Sequence, residues 1–224
     1  MRDFAVEAGG GALRPTVSDA ISLGPGLALQ GTRMHFGRNA EIFGEGEQAE
    51  YLYRVVSGAV RTIRFSSDGR RQILAFHLPG DVFGLEPGAK HTLSAEAIGE
   101  AEVSMVRRSL IDAAANEDVA AARALLTLMQ RELLATQEHA LVLGRRGAGE
   151  RVAAFLLKLA DRVTSNCEID LPMSRADIAD YLALTIETVS RAFTQMERDK
   201  AIALPSSRHV IVRDRCALEL LEAA

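Results

Sequence analysis

The sequence predicts an α+β chain in three parts: an N-terminal antiparallel β-roll, one long helix, and a C-terminal winged helix-turn-helix. Three observations lead there. Glycine recurs at short intervals from about Gln30 to Val106, separating short runs rich in β-branched and aromatic residues. Residues 112–143 then hold no glycine or proline and are rich in Ala, Leu, Gln and Glu, which favour helix. Beyond them, Ser174 to Asp199 reads as two short helices joined by a tight turn.

Composition narrows the function classes. The 224 residues allow one large domain or two modest ones, and 48% apolar with 25% charged residues is ordinary for a globular protein. No apolar run approaches the ~18–20 residues that span a bilayer, and the N-terminus lacks a signal-like stretch, so a cytoplasmic chain with no membrane partner is expected. Two cysteines, Cys167 and Cys216, cannot build a disulfide scaffold or a four-cysteine cluster within one chain. The net charge of −4 is unevenly spread. Residues 1–144 carry 14 Lys/Arg against 18 Asp/Glu, whereas residues 145–215 carry 12 against 10. A local basic excess can meet phosphates on an acidic molecule.

In chain order, residues 1–26 read as a flexible arm around Gly9-Gly10-Gly11 and Gly24-Pro25-Gly26. Residues 27–110 are the roll, with strand-like runs at Tyr51–Val56, Ala59–Phe65 and Gln72–Phe76; Ser66-Ser67-Asp68-Gly69 is a hairpin turn. Residues 111–144 form the long helix. In it Leu126, Met129, Leu133, Thr136, Ala140 and Leu143 are spaced 3, 4, 3, 4, 3, the seam of a two-stranded coiled coil. This predicts a homodimer interface, with Leu125, Leu128 and Leu141 off the seam and available to the roll. Three glycines in Gly144–Gly149 break the helix, and a further helix runs from Glu150 to about Thr164. Residues 145–224 are the helix-turn-helix domain.

The chemistry sits in that domain. Ser174 caps a short helix, with Asp177 completing a near capping box, and Ile178 and Leu182 are its core anchors. Ala183-Leu184 is the turn. Thr185 caps a second helix to about Lys200, in which Ile186, Val189, Phe193 and Met196 share an apolar face. Glu187, Ser190, Arg191 and Thr194 lie opposite. An arginine donates twice to guanine, a glutamate accepts from cytosine, and a serine serves either edge, so Glu187, Ser190 and Arg191 form a base-reading set. Thr185, Thr188, Ser174 and Arg175 are placed for phosphates, as are Arg208 and His209 in a wing formed by 201–204 and 209–213. A solvated face with an ordinary Glu–Arg pair is the bland reading of α-helical residues 187–191; the two-helix unit, its caps and the wing outweigh it.

Roll, long helix, hinge and winged helix-turn-helix in that order resemble the CRP/FNR family of bacterial transcription regulators over about residues 27–215. The roll carries Gly44-Glu-Gly-Glu47, Val56-Ser-Gly-Ala-Val60 and Pro79-Gly-Asp-Val-Phe-Gly84, similar to the family's cyclic-nucleotide-binding-like effector domain. Glu187-Thr-Val-Ser-Arg191 matches the Glu-x-x-Ser-Arg signature of the FNR branch. The resemblance implies a homodimeric activator on the palindrome TTGAT-N4-ATCAA, with Arg191 on the guanine, Glu187 on its cytosine partner and Ser190 on the flanking T·A step. It also implies a contact with RNA polymerase through the hairpin at Ser66, Ser67, Asp68 and Gly69, for which a plain solvated turn is the equal alternative. Two departures set the subgroup. Leu85 follows Gly84, and Lys90-His-Thr-Leu-Ser-Ala95 lacks the arginine that holds a cyclic nucleotide's phosphate. The four cluster cysteines of oxygen-sensing FNR are absent from residues 1–166. What remains is similar to the FixK type, whose members act in microaerobic, denitrification and nitrogen-fixation control.

No cofactor or metal is therefore expected, and no nucleophile–base pair or phosphate-binding glycine loop suggests an enzyme. The alternative is a ligand-gated regulator of the same fold, with a small molecule or a haem held by His77 or His91 and Met34. Cys167 is the candidate redox thiol.

Overall fold

A computed structural model describes residues 15–24, 27–144, 147–162 and 168–222. The strands of the N-terminal half are β1 (Pro15–Gly24), β2 (Leu27–Phe36), β3 (Glu41–Phe43), β4 (Tyr51–Ser57), β5 (Val60–Phe65), β6 (Arg71–His77), β7 (Val82–Phe83), β8 (Ser94–Ala97) and β9 (Ala101–Arg107). Helices α1 (Arg108–Glu117), α2 (Val119–Leu143) and α3 (Ala148–Ala160) follow. The last part holds β10 (Glu168–Asp170), α4 (Arg175–Leu182), α5 (Ile186–Arg198), β11 (Ile202–Ala203), β12 (His209–Val212) and α6 (Arg215–Glu222). Among the described residues no helix is long and apolar enough to cross a membrane.

The chain forms two compact units: Met1–Val60 with His77–Leu125, and Arg61–Phe76 with Leu126–Ala224. The sequence placed its boundary at residues 144–149, but the β5–β6 hairpin and most of α2 group with the C-terminal elements. Their partners explain it: Arg61, Arg71 and Gln72 hydrogen-bond to α4, and His139 of α2 stacks on Tyr181 of α4.

The first unit is a roll around a five-stranded antiparallel sheet of order β1-β2-β9-β4-β7, with β3 paired to β8. Phe36, Phe43, Tyr53, Val55, Phe83 and Val103 fill its core. Gly58 makes one of its turns possible: φ is +76°, and a Cβ there would overlap the backbone oxygen of Glu100. Two expectations fail in this unit. The arm read over 1–26 contains β1, in antiparallel register with β2 from Pro15↔Met34 to Gly24↔Leu27. Val17, Ile21 and Leu23 alternate with smaller or polar residues, and β2 supplies the ladder that makes such a pattern a strand. The helix read without interruption from 112 breaks at Asp118, which is extended (φ −130°, ψ 119°) and accepts from Ala120 N at 2.8 Å. An aspartate that bonds the amide two residues on starts a new helix.

The second unit is helical apart from the β5–β6 hairpin and the antiparallel sheet β10-β12-β11. Val152, Leu156, Ile178, Leu182, Val189, Phe193, Met196, Val210 and Leu218 are buried together in its core. The wing reads as expected from β11 and β12, while β10 pairs Glu168–Asp170 with His209–Ile211 beyond what the polar run 164–168 suggested.

Candidate nucleic-acid interface

Each helix of the helix-turn-helix is started by a side chain. Ser174 Oγ accepts from Asp177 N at 3.1 Å while Asp177 Oδ2 accepts from Ser174 N at 3.0 Å, a reciprocal capping box. The turn follows at Ala183, left-handed at φ 52°, ψ 49°, in the conformation glycine usually takes. Arg151 of α3 donates through Nη1 to the carbonyl of Leu182 at 3.0 Å and lies 3.4 Å from that of Ala183, covering exposed acceptors at the end of α4. Thr185 Oγ1 then accepts from Thr188 N at 3.2 Å and starts α5.

The two faces of α5 divide cleanly. Val189, Phe193 and Met196 are 0–2% exposed. Glu187, Ser190, Arg191 and Thr194 are all exposed. Ile186, expected among the core anchors, is 48% exposed instead. It occupies the first helical position, beyond the end of the stripe that Val189 begins. Hydrogen bonds from its own amide and from Thr185, then the positive charge of Arg191, hold the Glu187 carboxyl below the usual carboxylate range. Glu187 therefore remains an acceptor throughout the neutral range, as pairing with cytosine requires.

The residues expected at phosphates separate into two groups. Thr185 is exposed and Thr188 half-buried, their hydroxyls 2.9 Å apart, and Arg208 is exposed on the wing. Three others have internal work. Ser174 Oγ also bonds Asp177 Oδ2 at 2.8 Å. Arg175 lies over the ring of Phe193, with Nη1 buried and unpartnered, and burial pushes its pKa down to about 10. His209 places Nδ1 2.7 Å from Asp170 and Nε2 3.8 Å from Glu168, so two carboxylates stand where a phosphate would approach. Sequence spacing missed these partners because Phe193 and Asp170 are 18 and 39 residues away from them.

On α2, Leu126, Met129 and Leu133 are 56%, 49% and 59% exposed, Thr136 and Ala140 are exposed, and Leu143 is half-buried. The heptad seam is thus an open apolar face of the single chain. Leu141, read as available to the roll, is 72% exposed. The hairpin tip is closed on itself: Asp68 bonds Ser66 Oγ at 2.6 Å and Arg70 Nε at 2.7 Å, which lowers its pKa to about 2. Cys167 lies outside the described residues; Cys216 is a free, exposed thiol.

Comparison with known proteins agrees with this architecture. Residues 150–221 match the Crp-like helix-turn-helix domain, and residues 33–118 match the cyclic nucleotide-binding domain. The chain is 52% identical to the nitrogen fixation regulation protein FixK of Azorhizobium caulinodans, over 88% of this chain and 82% of that protein. It is 41% identical to the FixK of Rhizobium meliloti, over 93% and 96% of the two. The solved structure of FixK2 from Bradyrhizobium japonicum superposes with a TM-score of 0.84 at 49% identity, covering 88% of this chain and 99% of that one.

The chain belongs to the CRP/FNR family of transcription regulators. Its relatives are regulators and not enzymes, and residues 150–221 are the family's helix-turn-helix DNA-binding domain.

The roll of this CRP/FNR chain uses its polar groups on itself. Arg108 donates to the carbonyls of Gly84, Glu86 and Gly88. The Glu86 carboxylate holds His91 Nδ1 at 2.7 Å, and the His91 ring stacks 3.6 Å from Phe43. His77 stacks on Phe83 at 4.9 Å, and Met34 packs at the edge of the same core. Both histidines named as haem ligands are therefore part of an aromatic core.

Proposed function

We propose that the chain acts in the cytoplasm as a homodimeric regulator, mainly an activator, that reads a TTGAT-N4-ATCAA-like palindrome through α5. One observation carries the reading: three side chains able to decode a G·C pair and its neighbour stand exposed on the face of α5 opposite its buried stripe. Arg191 takes guanine O6 and N7, Glu187 takes cytosine N4, and Ser190 takes the flanking step. Thr185, Thr188, Arg208 and the α5 amides hold phosphates and fix the register. The open seam on α2 supports two-fold pairing. Two readers then meet half-sites about 34 Å apart, one turn of duplex. RNA polymerase docks on Ser66–Gly69 at the hairpin tip. The FixK names of the relatives support a role in nitrogen-fixation control.

The test is fluorescence anisotropy at fixed salt with TTGAT-N4-ATCAA against a TGTGA-type palindrome, with and without reductant. Strong preference for the first supports the reading. Equal affinity for both, or none for either, removes it. Dependence on reductant would assign a redox role to a thiol.

A further inference from the structure

The polar groups of α4 are tied to other parts of the second unit rather than left open to a ligand. The Asp177 carboxylate accepts four hydrogen bonds. Oδ2 takes Ser174 N and Oγ, and Oδ1 takes Arg61 Nη1 at 2.9 Å and Arg71 Nη2 at 2.8 Å. Three residues on, Asp180 takes Arg71 Nε at 2.8 Å, and its carbonyl accepts from Gln72 Nε2 at 2.8 Å. The side chains of Arg61 and Asp177 are only 8% and 6% exposed. Removing either partner takes a charge-assisted hydrogen bond from a group held almost entirely out of water.

A second set of ties reaches the seam helix. Tyr181 of α4 stacks on His139 of α2 at 4.0 Å and meets Phe155 of α3 and Phe76 of β6 at 5.8 and 5.0 Å. α5 in turn follows α4 after a three-residue turn, and Arg175 on Phe193 joins the two helices. The direction in which α5 presents Glu187, Ser190 and Arg191 is thus set, within one compact unit, relative to the face bearing Leu126–Leu143.

We propose that Arg61 and Arg71, acting through Asp177 and Asp180, are positioning residues that fix the distance and angle between two reading helices, and so make spacer length part of the sequence specificity. This rests on the dimeric palindrome reading above. Adding one base pair to a spacer moves a half-site by about 3.4 Å and turns it by about 35°. A rigidly held pair of readers fits one spacer; a loosened pair tolerates its neighbours.

The experiment measures anisotropy of the full chain on palindromes with three-, four- and five-base spacers, and on a duplex with a single TTGAT half. The variants are Arg71→Gln and Asp180→Asn. They change net charge in opposite directions, so attraction to phosphates alone moves their affinities oppositely. The positioning role moves them together. Both variants lose about tenfold of the wild-type preference for the four-base spacer, while half-site affinity stays within about twofold. Spacer discrimination as sharp as wild type in both variants overturns the proposal. So does half-site affinity lost in step with the palindrome, which makes the clasp only a prop of the fold. A wild-type chain indifferent to spacer overturns the palindrome reading itself, which is a different result from a preference that the variants keep.

Discussion

Helices α4 and α5 stand next to each other and use the same kinds of side chain in opposite ways. In α4, Asp177 and Asp180 are consumed by the protein: each carboxylate is taken by guanidinium groups of the β5–β6 hairpin. In α5, Glu187 and Arg191 stay open to solvent. Arg175, at the start of α4, is drawn onto an aromatic ring, whereas Arg191, in the second turn of α5, is exposed. A charged residue on a short helix is therefore neither structural nor functional by type. What decides is whether another part of the chain has been brought within hydrogen-bond reach.

The sharpest way to break this contrast is to compare truncations in the two helices. Asp177→Ala is expected to cost about 3–5 kcal/mol of stability, because it takes the carboxylate away from the buried Arg61 and from Arg71 and removes a capping box. Urea unfolding measures it, and a loss under about 1 kcal/mol would show that the clasp contributes little. The seam comes next. Leu133→Asp places two carboxylates against each other in the paired helices, a cost of several kcal/mol to association. Sedimentation should then report a monomer; a dimer would remove the seam. Arg191→Ala, by contrast, should leave stability within about 0.5 kcal/mol while weakening binding to the specific duplex by about 1–3 kcal/mol and relaxing preference at the guanine. Equal weakening on specific and random duplex would refute the reading role.

The same contrast explains what could be read from the chain. The helix-turn-helix was legible because its determinants are local: Ser174 and Asp177 are three residues apart, Thr185 and Thr188 likewise, and the stripe Val189–Phe193–Met196 repeats at helical spacing. The roll was legible through its glycine-punctuated strands. Ladders and ion pairs between distant segments were not. β1 becomes a strand only against β2, and Arg61 and Arg71 meet Asp177 across 116 and 106 residues. Nothing near Asp177 in sequence announces a partner. Ile186 was misplaced for the opposite reason: the helical period assigned its face correctly but carries no information about where the packed stripe ends. Arg175 and His209 were read as phosphate contacts with no sign of Phe193 and Asp170, which engage them, because those partners arrive through the tertiary fold.

The smallest expected effect tests the aromatic tie between α2 and α4. Burial, with the nearby charge of Lys158, pushes the pKa of His139 down to about 4, and the neutral ring stacks on Tyr181. The unfolded chain takes up a proton near pH 6.5, where the folded chain still refuses it. The stabilisation is therefore complete above about pH 6.5 and is lost progressively as pH falls towards 4. After allowance for partial solvent screening, the loss by pH 5 is on the order of 1 kcal/mol. His139→Phe keeps a planar ring against Tyr181 and removes the titration. Its stability measured by urea unfolding should fall less steeply than that of the wild type between pH 6.5 and 5, by about that amount. Parallel curves for the two proteins would mean that His139 protonates freely in the folded chain and that the stack with Tyr181 does not depend on its charge.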